Sequence, residues 1–283
     1  MVEIQVDMKR REQLRRLHTA THIVNFCARK VLGNHVWQNG SNLKPEEGSL
    51  DITHYDQLTQ DQISTIEEMV NTVIFENKKV TIEELDRGEA EKKYGFILYQ
   101  GGAIPMKTLR VIHVMDNDIE ACGGLHMEST GGIGFLKITE SQKIQDGVIR
   151  LKYVVREFAQ KYIEEKQAII EEIKQVFSVP ENQLVKTSEK FFNEWKEQKK
   201  TIESLQKSLK DGFISQIEST SEDEFTIDLD ADMGFLMEIF TKVFTNKDSF
   251  KLISKKFIIA TEGVVVESAK KSISKGKFTI YVM

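Results

Sequence analysis

Between Arg11 and Leu32 the positions Leu14, Leu17, Thr21, Val24, Ala28, Val31 and Leu32 fall on one stripe at helical period. The pattern predicts a helix, and Gly33-Asn34 stops it. His18 and His22 lie at the edge of that stripe, and Cys27 is roughly opposite His18, as a small buried or half-buried residue would be. A second helix is expected from about Thr59 to Asn77, with Asp61 as cap and Ile63, Ile66, Val70, Val73 and Ile74 as its apolar face. The β-branched runs KKVTIEEL, LRVIHVMD and GFLKITES predict strands. Two glycine-bearing turns, YQGGAIP and ACGGLHMESTGG, lie among them and would let backbone approach a ligand closely.

After about residue 150 the pattern changes. Val155, Phe158, Tyr162, Ile169, Ile173 and Val176 lead into SVPEN, a turn signal. Phe191, Trp195, Ile202, Leu205 and Leu209 then recur at heptad-like steps, with polar Gln198 filling one seam position. An antiparallel helical hairpin over 151–215 is expected, with dimerisation through the seam as a further expectation. From 222 an acidic stretch leads to a helix, MGFLMEIFTKVF, and to strands KKFIIATEG and KFTIYVM, the opening of a small α/β domain over 222–283. The whole reads as α+β in three segments, 1–150, 151–215 and 222–283.

Composition narrows this only modestly. The 283 residues are 40% hydrophobic and 29% charged, enough for a real core. A net charge of -5 gives no overall positive field. KRREQLRR, residues 9 to 16, is nevertheless basic, and either a solvated helix face or a phosphate contact fits it. Two distant cysteines make no disulfide framework, and a reducing compartment is expected. No apolar run approaches eighteen residues and no signal peptide is evident, so a soluble, cytoplasmic protein with no membrane contact is expected.

Two histidines at i and i+4, as in HTATH, sit about 40° apart on a helix and can reach a common point. CGGLH places Cys122 and His126 four apart on a glycine turn. Together His18, His22, Cys122 and His126 form a His₃Cys set suited to tetrahedral Zn²⁺. Each pair alone is weak, and satisfied core histidines with a turn cysteine fit the spacing too. His35, His54 and His113 have no similarly spaced partners.

RRLHTATHIV, VLGNHVWQNGS, LDITHY, YGFILYQGG and IEACGGLHMESTGGIGFLKI together resemble the editing domain of alanyl-tRNA synthetases, especially the archaeal type, over about residues 10 to 150. The later segments fit that family's layout loosely. The resemblance implies a two-layer α/β editing domain that hydrolyses tRNA(Ala) mischarged with serine or glycine. A pocket for alanine cannot strongly reject competitors of nearly its own size, which makes a second, hydrolytic site useful. The resemblance also implies Zn²⁺ on His18, His22, Cys122 and His126, with Thr21 and Gln38 lining the pocket and reading the serine hydroxyl. Thr21 also lies on the apolar stripe, where a core role is the alternative; Gln38 is expected on a loop. Arg10, Arg11, Arg15 and Arg16 are the candidates for the tRNA acceptor end.

The sequence departs from the family in two places. Leu125 stands where the family usually has Thr, which puts the pocket's polarity in doubt. No glycine-rich stretch follows KFTIYVM, so the last domain is expected to be cut short. The reading is the C-terminal part of such a synthetase, an excised piece or half of a split enzyme, whose N-terminal aminoacylation portion would be a partner. Freestanding alanyl-tRNA editing proteins normally carry a β-rich domain ahead of the zinc helix, for which seventeen residues leave no room. The threonyl-tRNA synthetase editing domain shares the ligand spacing but fits LDITHY and CGGLH less well. A non-catalytic tRNA-binding and dimerisation module with structural zinc is the rival of another class.

Overall fold

The computed structural model describes residues 5–100, 102, 104–115, 118–244, 249–261, 266, 269–275 and 277–283. The chain is mixed α and β with mainly antiparallel sheets, and it divides into compact units at Glu172/Ile173.

In the first unit α1 (Met8–Leu32) starts three residues before the expected point, because the Asp7 side chain accepts from the Arg10 N–H at 3.0 Å and caps it. It ends at Gly33, whose φ of 117° suits glycine. The stripe is buried through Leu17, Thr21, Val24 and Ala28, but Ala20, Ile23 and Cys27 are enclosed as well, so α1 is covered on more than one side. Cys27 is buried as expected, and desolvation pushes its thiol up to about 12.

The hairpin β1 (Gln38–Leu43) and β2 (Gly48–Thr53) follows. The helix α2 (Gln60–Phe75) comes next, capped by Thr59 and Gln62 in a reciprocal box rather than by Asp61, which occupies the first turn. Strand β3 (Thr81–Asp86), helix α3 (Arg87–Tyr94), and strands β4 (Thr108–Met115) and β5 (Asp118–Ala121) make a small antiparallel sheet in the order β3-β4-β5. Strands β6 (Leu136–Gln145) and β7 (Val148–Val155) complete the larger sheet, ordered β1-β2-β7-β6 and antiparallel throughout. The core lies between this sheet and the helices α1 and α2, with Leu50, Ile52, Leu151 and Tyr153 meeting Leu17, Ile66 and Val70.

Strand β7 runs across residue 150 to Val155, so Val155 belongs to the sheet and not to the start of the helical segment. The helix α4 (Glu157–Phe177) begins after Arg156, which has φ 51°. Gln38 opens β1, opposite Ile52 and beside a bulge, where a loop was expected; the polar run QNGSNL carries little strand signal because its outer face is solvated.

The second unit holds α5 (Leu184–Ser219), and the helix break falls where SVPEN predicted it. Phe191, Trp195, Ile202, Leu205 and Leu209 are 48–60% exposed, so among the described residues the seam of α5 stays largely uncovered, with Phe177 of α4 reaching the ring of Phe191. Strand β8 (Glu224–Thr226), helix α6 (Met233–Phe244), and strands β9 (Lys251–Ile253), β10 (Phe257–Thr261), β11 (Lys271–Lys275) and β12 (Phe278–Val282) follow. The sheet runs β11-β12-β10-β9-β8, antiparallel except for the β8–β9 pair. Its core gathers Leu236, Phe240, Phe250, Ile259 and Ile280. Of the predicted segments, Asp116, Glu262-Gly263, Gly101 and Ala103 lie outside the described residues.

Strand β6 is an edge strand, and Asn71 of α2 binds its free backbone: the Leu136 N–H donates to Asn71 Oδ1 and Asn71 Nδ2 donates to the Leu136 carbonyl, both at 2.9 Å and buried. Asn71→Ala leaves both backbone groups without partners and is expected to destabilise the first unit by about 2–3 kcal/mol, read from urea unfolding.

Candidate metal centre

The helix α1 presents His18 and His22 from one face, and the turn after β5 returns Cys122 and His126 to meet them. The ring of His126 lies 4.3 Å from that of His18 and 4.6 Å from that of His22, centroid to centroid. One ligand atom from each of the four residues falls within 4.8 Å of all the others. The structure thus brings together the donor set expected from the sequence, and three imidazoles with a thiol suit a metal such as Zn²⁺. The buried Nε2 of His126 has no hydrogen-bond partner, and Nε2 of His18 lies 3.4 Å from Cys122 Sγ. Buried donors left free in this way fit a cation.

The turn can approach because it lacks a side chain at one point. A Cβ on Gly124 would lie 2.0 Å from Cε1 of His18. Arg110 of β4 fixes the same turn by donating to the carbonyls of Cys122 and Gly124, each at 2.8 Å. Arg15 Nε donates to the His126 carbonyl, and Arg16 Nε to that of Gly132 at 3.1 Å. Of the four arginines assigned to tRNA, Arg15 thus ties α1 to the metal loop and Arg16 ties it to the turn that follows, and both also meet Glu12.

Sequence reasoning missed two further residues. Thr19 Oγ1 accepts from the Met127 N–H at 2.9 Å and lies 3.4 Å from Nδ1 of His126. Glu120 Oε2 lies 3.0 Å from Nδ1 of His22. Strand alternation carried the signal for Glu120: Asp118, Glu120 and Cys122 follow at two-residue steps, and β5 buries the first two. Both carboxylates, with Asn25, Arg29 and Gln100, line a cavity of about 130 Å³.

Burial dominates the electrostatics. It holds His22 well below the ordinary imidazole range, with His126 and His18 adding to the shift. His18 is lowered by burial, partly offset by its contact with the Leu125 carbonyl. Burial, with His18, Arg110 and Arg15 nearby, brings His126 down to about 3. Neutral imidazoles are the metal-binding form. Burial lifts Asp118 well above the carboxylate range, and Glu120 to about 7 against a pull down from Asn25. With His22 and Glu120 both favouring their neutral forms, their contact is no ordinary ion pair. Burial also raises the Cys122 thiol.

A larger cavity of about 650 Å³ opens beside His18, with Arg10, Arg11, Arg15, Leu14, Leu43, Ser41 and Leu125 in its wall. Among the described residues the guanidinium groups of Arg10 and Arg11 make no ion pair. Neither Thr21 nor Gln38 lines this cavity. Thr21 is placed in the core: its hydroxyl donates to the Leu17 carbonyl at 2.7 Å and pairs with the Tyr153 hydroxyl at 2.6 Å.

Residues 109–152, from β4 through the metal loop into β7, match the Threonyl and Alanyl tRNA synthetase second additional domain. The alanine–tRNA ligase of Methanococcus vannielii is 38% identical over 279 residues, 96% of this chain and 31% of the relative. Those of Methanococcus maripaludis strain C7 and Pyrococcus furiosus are 44% and 43% identical over 72% and 78% of this chain, and 23% and 24% of their own lengths. Along 72–96% of its own length the chain is therefore similar to a part of alanine–tRNA ligases. It spans about a quarter to a third of the length of these relatives. Among the described residues no helix is long and apolar enough to cross a membrane.

Because His126 titrates near 3 in the fold against 6.5 otherwise, the folded chain binds fewer protons than the unfolded one between these values. Its contribution to stability is present above 6.5 and is lost as pH falls towards 3. Glu120, raised from 4.5 to about 7, acts in the opposite sense between those two values. His126→Gln in chelator-treated protein is therefore expected to flatten the acid loss of stability between pH 6 and 4, by up to about 1.4 kcal/mol per pH unit. Urea titrations at several pH values check this.

Proposed function

We propose that this chain is the editing part of an alanine–tRNA ligase, hydrolysing the ester of tRNA(Ala) mischarged with serine or glycine. The observation that carries the reading is the convergence of His18, His22, Cys122 and His126 beside a cavity with Arg10, Arg11 and Arg15 in its wall. The four donors would hold Zn²⁺. When bound, zinc supplies an electrophilic centre able to orient the 3′ end of the tRNA or a water molecule.

The chain's own residues bind and orient. Arg10 and Arg11, without an ion pair among the described residues, would meet the phosphates of the acceptor end, while Arg15 spans cavity and loop. Leu14, Leu43 and Leu125 give the cavity an apolar wall against which a base or ribose can pack. Leu125 holds the His18 ring through its backbone carbonyl, a contact any residue at this position could make, so its side chain bears on the cavity and not on the metal. Gln38, with amide donors and acceptor, is the candidate reader of the serine hydroxyl. For Thr21 the hydroxyl bonds favour a supporting role under Tyr153.

The wider reading includes tRNA binding, a homodimer through the uncovered seam of α5, a partner aminoacylation portion of the same enzyme and a cytoplasmic setting. A second reading is a tRNA-binding and dimerisation module with purely structural zinc. The four-donor set favours it, since four protein ligands close a tetrahedral site.

Release of labelled serine from Ser-tRNA(Ala) separates the two. The parent is expected to release serine, with Cys122→Ala falling to background and losing zinc. Gln38→Ala is expected to lower release about tenfold while keeping zinc and tRNA binding. Zinc and tRNA bound without any hydrolysis by the parent would establish the structural module instead. Arg10→Ala and Arg11→Ala should each reduce the salt slope of tRNA binding by about one.

A further inference from the structure

All three histidines of the centre use Nδ1 for a protein contact. His18 meets the Leu125 carbonyl at 3.1 Å, His126 the Thr19 hydroxyl at 3.4 Å, and His22 the Glu120 carboxyl at 3.0 Å. The first two partners are neutral and the third is acidic. Nδ1 of His22 is buried and makes no regular hydrogen bond among the described residues; the Glu120 carboxyl, at 3.0 Å, is the polar group set against it.

Glu120 is itself held in place. Asn25, one helical turn from His22 on α1, donates to its Oε1 at 3.3 Å and to Gln100 Oε1 at 3.2 Å. Strand β5 therefore supplies the group behind His22, and the turn that follows it supplies, two residues later, the thiol of the same donor set. Charge points the same way. Three neutral imidazoles and one thiolate around a divalent cation leave a net charge of +1 in a buried place, with Arg110 and Arg15 adding positive charge nearby. Such a charge is expensive to bury without an anion. Both carboxyls have an oxygen within 4.8 Å of a His22 ring nitrogen, but it is Glu120 that comes to 3.0 Å, whereas Asp118 makes no hydrogen bond through its Oδ2.

We propose that Glu120 is a positioning residue for the metal centre: it holds His22 by Nδ1 so that Nε2 faces the metal, and its carboxylate balances the cation's charge. This rests on the zinc reading above. A carboxylate behind a metal-bound imidazole fixes the ring and makes it a stronger donor.

The test uses the full chain and reads zinc affinity by competition with a chromophoric chelator. Glu120→Gln keeps the shape and removes the charge, and is expected to weaken zinc about 10–100-fold. Asp118→Asn, next in the same cavity, is expected to stay within about threefold of the parent. The metal-free melting temperature of Glu120→Gln should match the parent's, while the rise on adding zinc shrinks. Its cobalt(II)-loaded form should show altered d–d bands, which a merely structural role would not produce.

Parental zinc affinity in Glu120→Gln overturns the proposal, as does an equal loss in Asp118→Asn. If Glu120→Ala fails to fold, the shape-preserving variant still decides. A parent chain with no affinity for zinc overturns the metal reading and this one with it. A parent that binds zinc no better than Glu120→Gln overturns this one alone.

Discussion

The approach of the 122–126 turn to α1 depends on one missing side chain and one guanidinium. Gly124 leaves room for the His18 ring, and Arg110 draws the two carbonyls around it onto β4. A turn held this way is set by backbone and not by the chemistry of its side chains. That explains why Leu125 can stand in it without disturbing the contact to His18, which runs through the main-chain carbonyl. Everything else in the centre follows from that placement: Cys122 and His126 arrive on either side of the glycine, and Thr19 receives the Met127 amide as the chain leaves.

The small sheet β3-β4-β5 has its role here. Its inner strand β4 carries Arg110, and β5 buries Asp118 and Glu120 and leads directly into Cys122. Burying two carboxyls side by side is unfavourable for a fold in isolation. The unfavourable pair lies directly behind a candidate metal ligand, where strain and function commonly coincide.

The long helices were legible in the sequence from their apolar period, and strands such as β4 and β10 from their β-branched runs; β7 was not, and its end, Val155, was taken into the helical segment. The donor set was legible for a different reason: HTATH and CGGLH each show chemistry at a fixed local spacing, and the resemblance joined them across the chain. The hairpin β1–β2 was not legible, since QNGSNL gains its strand character from pairing with β2 rather than from its own residues. Thr21 shows the limit of spacing in another way. It lies within HTATH, yet its hydroxyl faces Tyr153 on β7, a neighbour that only the folded chain supplies. Strand alternation puts Glu120 in the same row as Cys122, but its contact with His22 is a neighbour that only the folded chain supplies.

The polar Gln198 in the middle of the α5 seam has a consequence for whatever covers that helix. Thirty-six residues make a rod about 54 Å long, on which an apolar stripe by itself would accept a covering helix at several offsets. An amide at one seam position removes that freedom, because a cover shifted by a heptad would press hydrocarbon onto a group that needs hydrogen bonds. The stripe supplies adhesion, and Gln198 supplies alignment.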